Sequence, residues 1–494
     1  MKKINMYKSG FIVVFCCVCC VCCLNKLQAQ RPDLAASNRT IVYDNTFIVS
    51  GATGPLKHSP ANPDYFEDGN GKPVFLVGSH TWSNFQDMGM EGDKKFDYDQ
   101  YMQFMVYHHF NFMRFWNWEH AAWAAWSPEK MIVDPMPYLR AGPDLALDGK
   151  PKYDLTQFNQ AYFDRMRARI IKAGHNGIYA SIMLFQAFSG AWLKGGKNFS
   201  HDAFAGHYYN TANNIQQLNG DKNNDKVLDI DDPAVRKYEE AYLKKIIDYV
   251  WDLDNVLYEV INEGGNPDWD KFVIKTVRAY EKTKGKIHPI GLTGHGAENT
   301  EMVLAGDADW ISPGPWDKGG FENPYTDPPL WDGKKVSVLD TDHIWGHGID
   351  YHWVWYSFLR GHNVLFMDPW DPIPGWFDPN KNIPDHISYI QGRTAMSNAS
   401  LLARQIDLSV MKPEKTFESG FCLANKGKEY IIYIRKDVKE IDLSAVPGTF
   451  SVEWIHPSEN IFLKTTNITG GAKVKLVCPF SDDGIVHLKL ISAS

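Results

Sequence analysis

The stretch "NVLYEVINEGG" (255–265) ends an apolar, strand-like run with an amide and a carboxyl group, Asn262 and Glu263. A carboxylic acid at such a place can protonate the leaving oxygen of a glycosidic bond if a second carboxylate faces it across the sugar. Glu263 is therefore the predicted proton donor, and Asn262 is a predicted contact to a sugar hydroxyl. An Asn–Glu pair that only caps the following helix is the alternative.

The segment "VSVLDTDHIWG" (336–346) offers two candidates for the second carboxylate, Asp340 and Asp342. They have the same parity, so both would point to one side of a regular strand. Asp342 lies nearer the strand end and is preferred; Asp340 is the alternative or a support, and His343 could orient either one. A helix cap is the structural alternative. The short Asp side chain could widen the carboxylate gap and favour inversion, although strand position could compensate, so the stereochemistry stays open.

Glu259 has the same parity as Glu263 and lies further inside the same strand. A buried glutamate needs a partner, because an unpaired buried charge is costly. Arg114, on an earlier predicted strand, is the candidate. We therefore interpret Arg114 and Glu259 as a structural pair that supports the site.

Aromatic residues make up 14% of the chain, with 17 Trp. The apolar face of a sugar ring packs on such rings, so tryptophans at strand ends are candidate substrate contacts. The predicted contacts, besides Asn262, are His80, Trp82, Trp116, His295, Trp316, His343 and Trp370. Ordinary core packing is the alternative for each of them.

The elements that must position these residues alternate between short apolar runs and amphipathic helical stretches such as 161–174 and 234–252. The predicted strands are 73–82, 110–118, 177–185, 255–263, 286–294, 308–315, 335–343 and 363–370. Eight β/α units in series predict a closed (β/α)8 barrel, in which chemistry takes place at the carboxyl ends of the strands. An open doubly wound sheet is the alternative, but no glycine-rich phosphate loop follows the first strand.

After about residue 405, period-two segments separated by Gly, Pro and Asp turns predict a small antiparallel β-sandwich. The predicted organisation is a signal peptide at 1–29, an N-terminal extension at 30–70, the barrel at 71–404 and the β-sandwich domain at 405–494.

The first residues, "MKKINMYKSGFIVVFCCVCCVCCLNKLQAQ", combine a basic start with an apolar run at 11–24. This pattern predicts a cleaved secretory signal and export, to the periplasm or the medium. The run is short for a spanning helix, and a lipoprotein anchor at one of the clustered cysteines is a further alternative. No later segment is apolar enough to enter a bilayer, so no membrane insertion of the mature chain is expected.

Six of the eight cysteines lie in that signal, which leaves Cys422 and Cys478 as a pair that an oxidising compartment could bond. The signal also contains four lysines and no acidic residue, so its removal would change the net charge from −8 to −12. Such a charge argues against nucleic acid or an anionic membrane as a partner. No cofactor is expected to be required, and the lack of a His-Glu-x-x-His motif gives a collagenase little support.

The loop "DKNNDKVLDIDD" (221–232) has the oxygen spacing of an EF-hand calcium loop. Asp221, Asn223, Asp225, Asp229 and Asp232 occupy positions 1, 3, 5, 9 and 12. Lys226 replaces the usual glycine at position 6, and Asp232 replaces the usual glutamate at position 12. A solvated acidic loop is the alternative; a bound calcium ion would stiffen the cleft wall rather than take part in chemistry.

The run "YEVINE" (258–263) at the end of the fourth predicted strand resembles the clan A glycoside hydrolases. In those barrels the glutamate of an Asn-Glu pair ending strand four is the acid/base, and a glutamate usually ends strand seven as the nucleophile. Here an aspartate, Asp340 or Asp342, takes the second place.

The wider chain, over about 70–490, resembles secreted bacterial apiosidase-like barrels. "VFLVGSHTWSNF" (74–85) is similar to their opening strand, and "NKGKEYIIYIRKDVKEIDLSAVPGTFSVEWIHPSE" (425–459) looks like their closing β domain, which is named for collagen binding. The resemblance implies an exported glycoside hydrolase that degrades a plant or microbial polysaccharide. A carbohydrate-binding or adhesion protein on a catalytically inactive barrel is the alternative, suggested by the altered strand seven. The sugar, the linkage, exo or endo action and the oligomeric state stay open.

Overall fold

The computed structural model of the 494-residue chain describes residues 51–127, 130–193, 202–294, 297–314, 328–371, 386–414, 421–435 and 439–492. The predicted signal peptide at 1–29 lies outside the described residues. Among the residues described, no helix combines the length and apolar character needed to cross a bilayer.

Eight parallel strands close into a barrel in the order in which they follow one another along the chain. They are β1 (Val77–His80), β2 (Phe112–Phe115), β3 (Tyr179–Gln186), β4 (Val256–Asn262), β5 (Ile290–Thr293), β6 (Trp310–Ser312), β7 (Val336–Asp340) and β8 (Asn363–Met367). All residues of these strands are buried, because parallel strands are covered on both faces. The predicted (β/α)8 barrel is confirmed, and the open sheet is not formed.

Seven helices are described, and one of them follows each of the strands β1 to β5, β7 and β8. They are α1 (Tyr98–Tyr107), α2 (Gln160–His175), α3 (Pro233–Val250), α4 (Pro267–Lys284), α5 (Ala297–Ala305), α6 (Tyr351–Leu359) and α7 (Ile387–Gln405). The sequence sets their ends locally: the Asn266 side chain accepts the amides of Asp268 and Trp269 at the start of α4, and Gly285 ends it with φ 83°. The 3-10 turns are Ala187–Ser189, Ala191–Leu193, Ala203–Gly206 and Thr341–His343.

The amino ends of the barrel strands are filled by an apolar core that includes part of the predicted N-terminal extension. Leu56 and Phe66 pack there with residues such as Phe112, Leu257 and Val336. Three short strands at Lys57–His58, Phe66–Glu67 and Pro73–Val74 form a sheet next to it. Among the described residues, this end of the barrel is therefore filled with apolar side chains.

Additional strands lie in the connections that follow β1 and β2. Asp87–Gly89 pairs with Ile132–Asp134, and Tyr138–Leu145 pairs with Pro151–Phe158 in a long hairpin. These strands form outside the barrel, so the connection after β2 is a folded insert rather than a simple loop.

The C-terminal residues form an antiparallel β domain, as predicted. Its six-stranded sheet runs in the order Lys412–Pro413, Cys422–Asn425, Glu429–Ile434, Gly484–Ser492, Thr449–Ile455 and Phe462–Thr469. A two-stranded sheet of Lys439–Asp442 and Lys473–Leu476 shares its apolar core. Both thiols, Cys422 and Cys478, are free and lie in that same core, so the disulfide considered from the sequence is not formed.

The β domain contacts the barrel through α6. Trp355 Nε1 donates a hydrogen bond to Pro457 O at 2.8 Å, and the Tyr356 ring stacks on Phe421 with centroids 3.9 Å apart. The Trp355 donor is buried, so this contact removes an otherwise costly unpaired N–H. The β domain is docked on the barrel wall.

Candidate active site

Parallel strands bring their carboxyl ends together at one rim of the barrel. Strand β2 supplies Arg114, strand β4 supplies Glu259 and Asn262, and strand β7 ends at Asp340. Glu263 follows directly after β4. The 3-10 turn directly after β7 carries Asp342 and His343. These are the residues for which the sequence predicted a joint site, and the structure brings them into contact.

Arg114 is the centre of this site, and all five of its N–H groups donate hydrogen bonds. Two go to Glu259, from Nε (2.8 Å) and Nη2 (2.5 Å), and Nη2 also donates to Asn262 Oδ1 at 2.5 Å. Nη1 donates to both Asp340 Oδ2 and Asp342 Oδ2 at 2.9 Å. Burial opposes the charge of Arg114, but attraction by Glu259, Asp340 and Asp342 outweighs it and raises the pKa of the guanidinium. The contact between Arg114 and Glu259 that the sequence suggested is present.

Asp340 is completely buried and held from three sides. Besides the bond from Arg114, its Oδ1 accepts the backbone N–H of Asp342 at 3.0 Å and lies 3.1 Å from His80 Nε2. Burial alone would raise the pKa of Asp340, yet His80 and Arg114 outweigh that effect and hold the pKa well below its usual range. Asp340 is thus an ionised anchor inside the barrel and also the cap of the Thr341–His343 turn.

Asp342 faces Glu263 across the barrel mouth. Oxygens of both carboxyl groups and a ring nitrogen of His343 lie within 4.8 Å of one another. The Asp342 side chain is 9% exposed, more than that of Asp340, which is 0% exposed. Burial, and then repulsion by Glu263, raise the pKa of Asp342 well above its usual value. Repulsion between the two carboxyl groups therefore disfavours the ionised form of Asp342. The wide gap considered from the sequence is not present.

Glu263 lies in the left-handed region of backbone conformation, with φ 50°. Such a conformation is costly for a residue with a side chain, and it persists where the surroundings fix it. The following residue, Gly264, explains part of that constraint: a Cβ there would lie 2.6 Å from Lys226 O and 2.7 Å from the Ala187 Cβ. Two parts of the connection between β3 and α3, the Lys226 carbonyl and the Ala187 side chain, therefore pack closely against the turn that presents Glu263.

Asn262 is held from both ends of its amide. Its Oδ1 accepts from Arg114, and its Nδ2 donates to Gln186 Oε1 at 3.0 Å. In parallel register Gln186 is the neighbour of Asn262, and the backbone N–H of Gln186 donates to Glu119 Oε2 at 2.7 Å. Asn262 is only 2% exposed, and both ends of its amide are already bonded to protein groups. Its main role is therefore to orient the end of strand β4.

Glu119 was not singled out by sequence reasoning, although it follows the aromatic end of β2. It is buried, and its Oε1 accepts the Tyr208 hydroxyl at 2.9 Å. Burial raises the pKa of Glu119 to about 7, against the opposing effect of its two hydrogen bonds.

Ser312 is a second residue that the sequence did not single out. Its Oγ lies 2.8 Å from His343 Nδ1 and fixes that ring, whose Nε2 lies 3.7 Å from Asp342 Oδ2. Only a spatial arrangement, and no local motif, identifies Glu119 and Ser312.

A cluster of aromatic rings lies beside Asp340. His80 stacks on Trp116, with centroids 5.0 Å apart, and Trp82 contacts Trp116 and Trp126. His80 is completely buried, Trp116 is 2% exposed and Trp82 is 6% exposed. The predicted sugar contacts at His80 and Trp116 are therefore corrected to packing and anchoring roles, because neither ring presents a surface. The half-buried Trp126, which the sequence did not single out, is the most exposed ring of this cluster.

The remaining predicted contacts divide into two groups. The Trp370 ring packs against Phe96, Tyr101 and Phe104, next to and within α1, which assigns it to the packing between helix and barrel. His295 and Trp316 lie outside the described residues.

Two sets of residues in the described chain bring metal-ligating atoms within 4.8 Å of one another: His80, Asp340 and Asp342, and Glu263, Asp342 and His343. Both share Asp342, whose Oδ2 already accepts from the Arg114 guanidinium at 2.9 Å. A fixed cation next to that oxygen opposes a second one, so the arrangement suits proton transfer and nucleophilic chemistry better than metal binding.

Comparison with known proteins agrees with this architecture. Residues 123–304 match a domain of unknown function, DUF6298. No curated protein matches the chain. Among solved structures, the barrel and β domain are similar to a "putative glycoside hydrolase" of Bacteroides vulgatus (13% identity, TM-score 0.57, 89% of this chain and 82% of that one).

Two further structures have the same fold. One is a glycoside hydrolase family 5 protein of Bacteroides vulgatus, at 12% identity and a TM-score of 0.53, over 89% of this chain and 95% of that one. The other is described as a glycoside hydrolase, at 14% identity and a TM-score of 0.51, over 89% and 98% of the two chains. At these identities the likeness is one of fold: the chain has the barrel architecture found in glycoside hydrolases.

Proposed function

We propose that the protein is an exported glycoside hydrolase in which Glu263 and Asp342 are the catalytic carboxyl groups. The observation that supports this most is their placement: oxygens of the two groups lie within 4.8 Å at the carboxyl end of the barrel. Export rests on the signal-like residues 1–29, and the preference for a plant or microbial polysaccharide rests on the resemblance to apiosidase-like proteins.

The two acids differ in their surroundings, which assigns their roles. Arg114 donates to Asp342 Oδ2, and a cation in contact with that oxygen suits Asp342 to the nucleophilic role and leaves Glu263 as the acid. Glu263 then protonates the leaving oxygen while Asp342 attacks the anomeric carbon. A bond forms between Asp342 and the sugar as the glycosidic bond breaks, and water activated by Glu263 later releases the sugar.

The short carboxylate gap favours retention of the anomeric configuration. Retaining enzymes have carboxyl groups about 5–5.5 Å apart, and inverting enzymes about 6.5–9.5 Å, to admit a water molecule. Asp340 is unsuited to the nucleophilic role, because it is completely buried and engaged by Arg114, His80 and the Asp342 amide.

The test is hydrolysis of a panel of plant and microbial polysaccharides by the purified protein and by Glu263→Gln, with NMR of the first anomer released. Loss of the acid should reduce kcat about 10²–10⁴-fold. Glu240→Gln, on α3 and paired with Lys244, is the matched control and should keep full activity. Unchanged hydrolysis by Glu263→Gln would contradict the acid role. A wild-type protein that binds glycans but hydrolyses none would instead support a carbohydrate-binding function.

A further inference from the structure

The acidic loop at 221–232, between β3 and α3, takes no part in the chemistry proposed above. Asp221, Asn223, Asp225 and Asp229 hold the first four side-chain positions of an EF-hand spacing. The spacing alone is shared by many solvated loops. What distinguishes this loop is the state of two of its carboxylates.

Asp221 and Asp229 are buried, at 2% and 8% exposure. Each uses one oxygen to accept a backbone N–H: Asp221 Oδ2 from Ala191 (2.6 Å) and Asp229 Oδ2 from Lys222 (2.5 Å). The second oxygen of each, Oδ1, is buried without a hydrogen-bond partner. A buried carboxylate oxygen in that state is costly unless it is protonated or meets a cation.

The loop's own lysines do not supply that cation. Lys222 Nζ pairs with Asp232 at 2.7 Å, and Lys226 Nζ lies 4.7 Å from the Trp192 ring centroid. A cation brought in from solvent would supply the contacts that the buried Oδ1 atoms of Asp221 and Asp229 lack.

We propose that this loop binds a calcium ion through Asp221, Asn223, Asp225, Asp229 and the backbone carbonyl of Val227. All of these ligands are oxygens, and calcium accepts six to eight of them in a flexible arrangement. Asp232 would be the sixth ligand. Its Oδ1 accepts the backbone N–H of Ala234 at the start of α3, and its Oδ2, which here pairs with Lys222, would turn to the calcium ion. Within the described chain, the ligand atoms of this loop are not gathered within 4.8 Å as those at the barrel mouth are, so binding draws them together.

The site would stiffen the backbone around Glu263 without touching a substrate. Lys226 O lies 2.6 Å from the place of a Cβ on Gly264, and Asp221 holds the amide of Ala191 in the segment after β3. An ordered loop therefore fixes two neighbouring turns: the turn of Glu263, through the close approach of Lys226 O, and the Ala191–Leu193 turn, through Asp221. This inference is independent of the proposed function.

The test uses the full chain, stripped with EDTA and then titrated with calcium. Calcium at about 100 times its Kd should raise Tm by about 3 °C for a protein of this size. Asp225→Asn, an exposed position, should lose the shift, whereas Asp231→Asn, an exposed non-ligand in the same loop with the same change of charge, should keep it. Terbium luminescence excited through tryptophan should appear in the wild type and weaken in Trp192→Phe.

Several results would overturn the proposal. These are a Tm unchanged by EDTA and calcium, an equal response to magnesium, or equal losses in the Asp225 and Asp231 variants. Hydrogen exchange tests the coupling to the barrel: calcium should slow exchange at 187–193 and 263–265 in the wild type and not in Asp225→Asn. Unchanged exchange at those amides would contradict the stiffening.

Discussion

Replacing Arg114 by lysine tests the central claim that one guanidinium organises the site. Arg114 donates five hydrogen bonds to Glu259, Asn262, Asp340 and Asp342, and it is completely buried. An ammonium group has three donors, so at least two bonds to buried acceptors are lost. At about 1.5–3 kcal/mol for each hydrogen bond to a charged group, Arg114→Lys should cost about 3–6 kcal/mol at pH 7.

The measurement is thermal unfolding of the wild type and the variant between pH 3 and pH 8. Unfolding entropy scales with chain length, so a loss of this size corresponds to a decrease of about 3–6 °C in Tm. The pKa of Asp340 is held below its usual range, so its stabilising effect is present above the unfolded pKa of about 3.9 and is lost as the pH falls through the folded value. The difference between the two proteins should therefore be largest above about pH 4 and shrink below it.

Arg167→Lys is the matched control. Arg167 also makes a two-pronged contact to a carboxylate, Asp252, but the two side chains are 34% and 40% exposed. Exposed ion pairs contribute about 0–1 kcal/mol, so this variant should lose little stability. If Arg114→Lys loses no more stability than Arg167→Lys, or if its loss does not change with pH, Arg114 does not organise the site.

Three further outcomes follow from the same contacts. Gly264→Ala should lower the free energy of unfolding by about 1–3 kcal/mol, because the new methyl group would lie 2.6 Å from Lys226 O. Urea denaturation measures this loss, and an unchanged free energy would contradict the close approach. Asp342→Asn should abolish activity and raise Tm at pH 7, because a carboxyl group whose folded pKa is raised costs stability as the pH rises above its unfolded pKa of about 3.9; the gain should vanish below about pH 4. Because burial raises the pKa of Glu119 to about 7, the wild type should lose about 3 kcal/mol of stability as the pH rises from about 4.5 to about 7. Glu119→Gln should not show this loss. An unchanged pH profile would count against a buried, titrating Glu119.

The end of strand β7 explains why Asp342 and Asp340 could not be told apart from sequence. Parity places both on one side of a regular strand, but β7 ends at Asp340 and the chain turns into the Thr341–His343 3-10 turn. That turn lifts Asp342 to the barrel mouth, where it meets Glu263, and leaves Asp340 below with His80 and Arg114. The turn depends on a cap made by Asp340 itself, which a strand pattern does not reveal.

The sequence by itself determined the barrel, the C-terminal β domain, the position of Glu263 at the end of strand four and the contact between Arg114 and Glu259. The barrel, the β domain and the place of Glu263 follow from local periodicity, because parallel strands bring their carboxyl ends to one rim. The contact between Arg114 and Glu259 follows from the need of a buried glutamate for a partner. The tertiary structure alone decided which aspartate faces Glu263, that His80 and Trp116 are buried, and that Glu119 and Ser312 join the site. Those outcomes depend on contacts between residues far apart in the chain, and the depth of a side chain below the rim is set by the packing of all eight strands.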